Sequence, residues 1–263
     1  MAADIATALL VLFGFHHING WGRSWAVNLG LLRRNTLGEW IPTSVAFPAV
    51  AVQGLALLFL GGPLAFAGAA GLVFAGVGLY DDLCGCRDRR QLAVKGWRGH
   101  LGALRRGRLT SGAVKLLVGG TAALILTAAF VPGSAASVVR DALVVALSAN
   151  AINALDVRRG RAGKALLLGL VALTGRGDGG MLMIFPVLVF LPKDLCGEVM
   201  MGDCGANGWG AMLGAAAVAS GGAVLRWGLL GALLALQVAA ETVTLSQIIR
   251  SCRLLTILDE AGT

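Results

Sequence analysis

The chain has 263 residues, of which 57% are hydrophobic and only 14% charged, and its mean hydropathy is +0.78. That balance excludes a water-soluble domain, and the apolar runs lack the alternation a membrane β-barrel needs. The net charge is +8, but the basic residues sit in short loops between apolar runs, which points to membrane topology and anionic lipid headgroups rather than nucleic acid.

In chain order, the apolar segments are 3–20, 42–60, 63–80, 112–131, 138–155, 163–176, 179–192, 205–222 and 225–241. Several approach the roughly 20 residues that cross a bilayer as a helix. The first has no basic leader and no small-residue cleavage site, so it reads as a retained helix. The segment 163–176 is short, as for a tilted or re-entrant helix. Two polar-side stretches, 92–108 and 245–256, have apolar residues on one helical face and fit the headgroup layer. The expected fold is all-α, one polytopic transmembrane bundle of about nine to ten spans over residues 1–263.

Of the 22 Lys and Arg residues, all but Arg140, Arg176 and Arg226 fall on one side of this arrangement. The positive-inside rule then puts the N-terminus outside and the C-terminus in the cytoplasm. The 39 glycines suit close helix packing in a membrane, with Gly210 and Gly214 as one GxxxG pair. Five cysteines, an odd number, exclude a complete set of internal disulfides. Cys84 and Cys86 have no second pair to complete a zinc site and read as small residues in a reduced compartment. His16 and His17 read as packing or interfacial residues.

Three acidic motifs stand out: Asp81-Asp82 in "GLYDDLCGCRDRR", Asn150, Asn153 and Asp156 in "NAINALDVRRGRAGK", and Asp203 and Asn207 in "MGDCGANGWG". The topology set by Lys and Arg puts all three at cytoplasmic ends of spans. Asn150, Asn153 and Asp156 are three apart and predict one polar helical face. Ionisable groups in such segments are expensive and mark function. Carboxylates and amide oxygens suit Mg²⁺ or Mn²⁺ held together with substrate phosphates. Lys115, Arg158, Arg161 and Lys164 supply cations for a diphosphate. The small residues around Asp203 let backbone approach a ligand at a helix start. The chemistry expected is phosphoryl transfer involving a lipid phosphate at the membrane surface.

These motifs resemble the polyprenyl-phosphate N-acetylhexosamine-1-phosphate transferase superfamily, which includes phospho-MurNAc-pentapeptide transferase. The residues that carry the resemblance are "IPTS" at 41–44, Asp81-Asp82, "KLL" at 115–117, "NAINALD" at 150–156 and "MGDCGAN" at 201–207. It runs from about residue 35 to 260. It implies an enzyme that transfers a sugar-1-phosphate from a UDP-amino sugar to undecaprenyl phosphate and releases UMP, with Mg²⁺ on the diphosphate. It implies Asp203 as metal ligand, Asp81 and Asp82 as partners of the lipid phosphate, Lys115 on phosphate and Asp156 in the nucleotide-sugar pocket.

The chain departs from the family at "LDVRRGRAGK", at Met200 where an aromatic is usual, and in having no counterpart of the family's His-rich loop, which marks a shortened, divergent branch. The partners expected are the lipid bilayer of the plasma membrane, a polyprenyl phosphate and a nucleotide sugar, with no nucleic acid and with a homodimer as a further option. The rival reading is a non-catalytic homologue that binds or transports polyprenyl-phosphate lipids. A transporter predicts inverted repeats and helices broken near the midplane, whereas the polar groups here gather at one surface.

Overall fold

The computed structural model describes residues 2–35, 38–87, 110–174, 180–242 and 245–262, with residues 99, 102, 103 and 105–107 between the second and third stretches. The expected interfacial stretch 92–108 lies mostly outside the described residues. Those residues form eleven α-helices and one two-stranded ribbon. In chain order they are α1 (Ala2–Asn28), β1 (Leu32–Arg34), β2 (Trp40–Pro42), α2 (Phe47–Leu60), α3 (Gly62–Arg87), α4 (Ser111–Phe130) and α5 (Ala135–Leu155). There follow α6 (Arg161–Thr174), α7 (Gly180–Leu195), α8 (Gly202–Ser220), α9 (Ala223–Thr242), α10 (Leu245–Ser251) and α11 (Arg253–Glu260).

Local chemistry sets the breaks. Pro48 starts α2, where its missing N–H costs nothing. Gly61 and Gly62 both take positive φ and turn the chain from α2 into α3. Thr110 caps α4 by accepting the Ala113 N–H at 3.2 Å, and Ser134 caps α5 by accepting that of Ser137 at 3.3 Å. Asp156 closes α5, its N–H donating to the Ile152 and Asn153 carbonyls.

Among the described residues, four helices are long and apolar enough to cross a membrane: Gly62–Cys86 within α3, all of α4 and α5, and Ala223–Ala240 within α9. At 1.5 Å per residue each reaches about 27 Å or more. The remaining segments read as spans do not all have that length. α2 and α6 have 14 residues each and α7 has 16, about 21–24 Å. Asp81 and Asp82 do not end their helix as the sequence reading had them, because α3 runs on to Arg87.

α8 is the buried centre, packed on α3 and α5. A Cβ on Gly210 would stand 2.8 Å from Ala149 Cα, and one on Gly214 would stand 3.0 Å from Val145 Cα. The GxxxG pair therefore lets α8 sit backbone to backbone on α5. Trp209 Nε1 donates to Gln53 Oε1 at 2.8 Å, and Gln53 Nε2 donates to the Leu182 carbonyl at 3.0 Å. This buried chain ties α8 to α2 and α7 with its polar atoms satisfied.

Candidate functional site

Four helices bring polar groups to one end of the bundle. α3 arrives with Asp81 and Asp82, α4 leaves with Lys115, α5 arrives with Asn153 and Asp156, and α8 leaves with Asp203. The approach of α3 to α8 depends on Gly78, one turn before the acidic pair, because a Cβ there would lie 2.3 Å from the Asp203 carbonyl oxygen.

Lys115 is the hub. Its Nζ donates to Asp203 Oδ2 at 3.3 Å and pairs with Asp81 Oδ2 at 3.7 Å. The Asn153 amide, oriented as its neighbours require, donates to Asp203 Oδ1 at 3.1 Å and accepts from Lys115 Nζ at 3.0 Å. Two carboxylates, an ammonium and an amide from four helices therefore share one point. The side chains of Lys115, Asp81 and Asp203 are 17%, 20% and 21% exposed, so a ligand can reach them.

Asp82 is different, being wholly buried. Its Oδ2 accepts from Ser44 Oγ at 2.6 Å and from the Cys204 N–H at 3.1 Å. Its Oδ1 is ion-paired with Arg33 Nη2 at 3.1 Å. Ser44 holds φ +64, a costly conformation for a residue with a Cβ. Gly202, at φ +73, leaves no room for one, since a Cβ would lie 2.6 Å from the Ser44 N and 2.8 Å from Asp82 Oδ2. The turn before α8 is thus moulded around the Asp82 carboxylate.

Asp156 lies beside this centre and accepts the Gly202 N–H. Burial raises its carboxyl well above the usual range, and Asp194, Asp203 and Asp82 add to the rise by repulsion. Asp194 accepts the Gly160 N–H at 3.0 Å, and burial pushes it up to about 6. Both line a small cavity with Asn35, Arg158, Arg159 and Met200.

The other expected residues go elsewhere. Asn150 donates to Gln237 of α9. Asn207 donates to the Asp203 carbonyl, inside its own helix. Arg158, Arg161 and Lys164 all turn to the C-terminal helix, around Asp259. Arg161 holds that carboxyl below the usual range against the opposing effect of burial, with Arg158 and Lys164 assisting.

The sequence reading missed Arg33, Ser44, Asp194 and Asp259 as site groups. Ser44 lay inside the quoted "IPTS", and Asp194 in "LPKDLCG" was a carboxylate at the end of an apolar run, the same signal that marked Asp81. Arg33 and Asp259 carried no local signal. Among the described residues, no three His, Cys, Asp or Glu side chains converge as a metal cage. Mg²⁺ asks for fewer protein ligands, commonly one or two carboxylates with substrate phosphates. No protein-family model matches the chain, and no curated protein matches it.

Proposed function

We propose that the chain transfers a sugar-1-phosphate from a nucleotide amino sugar, of the UDP class, to a polyprenyl phosphate at the cytoplasmic face of the plasma membrane. The supporting observation is that Asp81, Lys115, Asn153 and Asp203, from four separate motifs, meet within hydrogen-bond and ion-pair distances at one end of an apolar bundle. The same motifs carry the resemblance to the polyprenyl-phosphate sugar-1-phosphate transferases.

In the reaction, an oxygen of the lipid phosphate attacks the sugar-bearing phosphorus. A new P–O–P link forms, the P–O bond to the nucleotide breaks, and the nucleoside monophosphate leaves with the electron pair. Asp81 and Asp203 fit a hard divalent cation, because both are oxygen donors that already converge on one positive charge. Asp203, with Asp81 beside it, would hold Mg²⁺ or Mn²⁺, which would supply neutralisation of the diphosphate. Lys115 holds phosphate oxygens as a point charge. Asp81 is the carboxylate offered to the lipid phosphate, since Asp82 is sealed and its bonds position the turn before α8.

The test is release of the nucleoside monophosphate by the purified protein in bilayers containing undecaprenyl phosphate and Mg²⁺, screened across nucleotide sugars. Release with one donor, dependent on Asp203, supports transfer. Tight binding of undecaprenyl phosphate with no release from any donor would favour the non-catalytic lipid-binding reading.

A further inference from the structure

The geometry points to the C-terminal helix α11 as an internal counter-anion: its Asp259 occupies the cationic cluster Arg158–Arg161–Lys164 and has to leave before a phosphate-bearing ligand can bind there. The inference rests on the proposed function only for the identity of the natural ligand.

Asp259 is held as a phosphate would be. Arg161 donates Nε to Oδ1 at 2.6 Å and Nη2 to Oδ2 at 2.7 Å, the planar two-bond fork that guanidinium also makes with phosphate. Arg158 Nη1 lies 3.5 Å from Oδ2. Lys164 Nζ donates to the backbone carbonyls of Asp259 at 2.7 Å and Ala261 at 3.1 Å. Two guanidinium groups and an ammonium thus gather around Asp259, and a diphosphate, which carries more negative charge than one carboxylate, is the stronger counter-ion for them.

Little else holds the helix. None of the residues of α11 is buried, although the Asp259 side chain itself is only 8% exposed. Leu254 and Ile257 are 66% and 57% exposed. With so little apolar burial, the segment belongs to the low-stability end of the molecule and can detach without disturbing the bundle. Its apolar side chains give a released helix a place in the headgroup layer.

The latch is coupled to the cavity. Arg158 serves both Asp259 and the cavity that holds Asp156 and Asp194. A Cβ on Gly262 would stand 3.5 Å from Leu195, the neighbour of Asp194. The segment that takes the charge is therefore linked through Arg158 to the cavity beside the Asp203 centre.

The experiment uses the full chain in lipid nanodiscs with inorganic pyrophosphate, without donor or acceptor, so it reads no transfer. A chain lacking transferase activity can still pass it, and an active transferase can fail it. Hydrogen exchange of residues 253–260 is followed with and without pyrophosphate, and binding is measured for the wild type and Asp259→Asn. Pyrophosphate should speed exchange across 253–260 in the wild type. Asp259→Asn should exchange fast without ligand and bind about tenfold more tightly, the factor for a latch closed nine-tenths of the time. Binding with unchanged or slower exchange, equal affinity of the two chains, or no binding by either overturns the inference. The wild-type exchange measurement decides the matter even if the variant folds poorly.

Discussion

Lys115 Nζ lies 3.3 Å from Asp203 Oδ2, at the point where α4 and α8 leave the same end of the bundle. Removing that ammonium leaves Asp81 and Asp203 facing each other as like charges. Lys115→Met should lower the melting temperature in chelator, and Mg²⁺ should restore more of it than it adds to the wild type. Turnover should fall about a hundredfold, the scale of one lost electrostatic contact to a reacting phosphate. Thermal unfolding with and without Mg²⁺ reads the first effect and nucleotide release the second. A variant that turns over at the wild-type rate removes Lys115 from the mechanism.

Gly78 tests whether the close approach of α3 to α8 builds the site. A Cβ there meets the Asp203 carbonyl oxygen at 2.3 Å, whereas one on Gly76, in the same helix, meets nothing within 4 Å. Gly78→Ala should cost about 1–3 kcal/mol by overpacking and should depress turnover by displacing the α8 start. Gly76→Ala should be neutral or slightly stabilising, since it removes helix-interior glycine without a clash. Equal effects of the two substitutions would remove the close approach as the cause.

Ser44 combines a strained backbone, φ +64, with a 2.6 Å hydrogen bond to the buried Asp82. Ser44→Ala keeps the strain and loses the bond, which should cost about 1.5–3 kcal/mol for a bond to a charged group. Ser44→Gly loses the same bond but relieves the strain, recovering about 1 kcal/mol less whatever the extra freedom of the unfolded chain takes back. The ranking to be checked by denaturant unfolding is wild type, then Gly, then Ala. Ala above Gly would mean that φ +64 carries no strain here.

Asp194 gives a pH signature. Its carboxyl is pushed up to about 6 by burial, against about 3.9 in an unfolded chain. Between those values the folded state holds a proton that the unfolded state has released. Stability contributed by this group is therefore greatest below about pH 4, falls as pH rises toward 6, and levels off above, a change of about 2–3 kcal/mol. Asp194→Asn cannot ionise and should flatten that part of the profile. Melting temperatures from pH 4 to 7 for both chains measure the difference, and parallel profiles would assign the slope to another group.

The sequence made the centre legible and its surroundings less so, for reasons that can be seen in single residues. Asp81, Lys115, Asn153 and Asp203 were findable because a polar group at the end of an apolar helix is costly and therefore informative. Asn150 was grouped with Asn153, yet three residues turn a helix through 300°, leaving the two about 60° apart. That offset is enough to send Asn150 to Gln237 of α9 while Asn153 meets Asp203. The ribbon of β1 and β2 has three residues in each strand, too short for an alternating pattern to show, so Arg33 gave no sign that it reaches Asp82. Arg158, Arg161 and Lys164 were read as phosphate ligands from local charge alone, which cannot reveal a counter-ion about a hundred residues away. Among the described residues, four helices have the length and apolarity of a span, while α2 is as apolar as these and differs from them in length.

Asp81 and Asp82, which the sequence left joined beside Asp203, differ in burial and partners. Asp203 touches Lys115 and Asn153 and stands in the first turn of α8, where a cation and a diphosphate can reach it. Asp203→Asn removes a charge from that point and should weaken Mg²⁺-dependent nucleotide-sugar binding together with turnover. Asp81 is 20% exposed and pairs with Lys115. Asp81→Asn should leave nucleotide-sugar binding near normal and depress turnover by about a hundredfold or more, the scale of a lost group acting on the nucleophile. A lipid phosphate is largely ionised near neutral pH, so this loss reflects positioning more than proton removal. Asp82 is buried and held by Ser44, Cys204 and Arg33. Asp82→Asn keeps the shape but unpairs Arg33, and should show first as a lower melting temperature, with binding and turnover falling together as the turn loosens. Calorimetry of nucleotide-sugar binding in Mg²⁺, release rates and melting curves for the three variants resolve the roles. Normal binding and wild-type turnover in Asp203→Asn would end the transferase mechanism. Unchanged stability in Asp82→Asn, with turnover lost, would return Asp82 to the substrate.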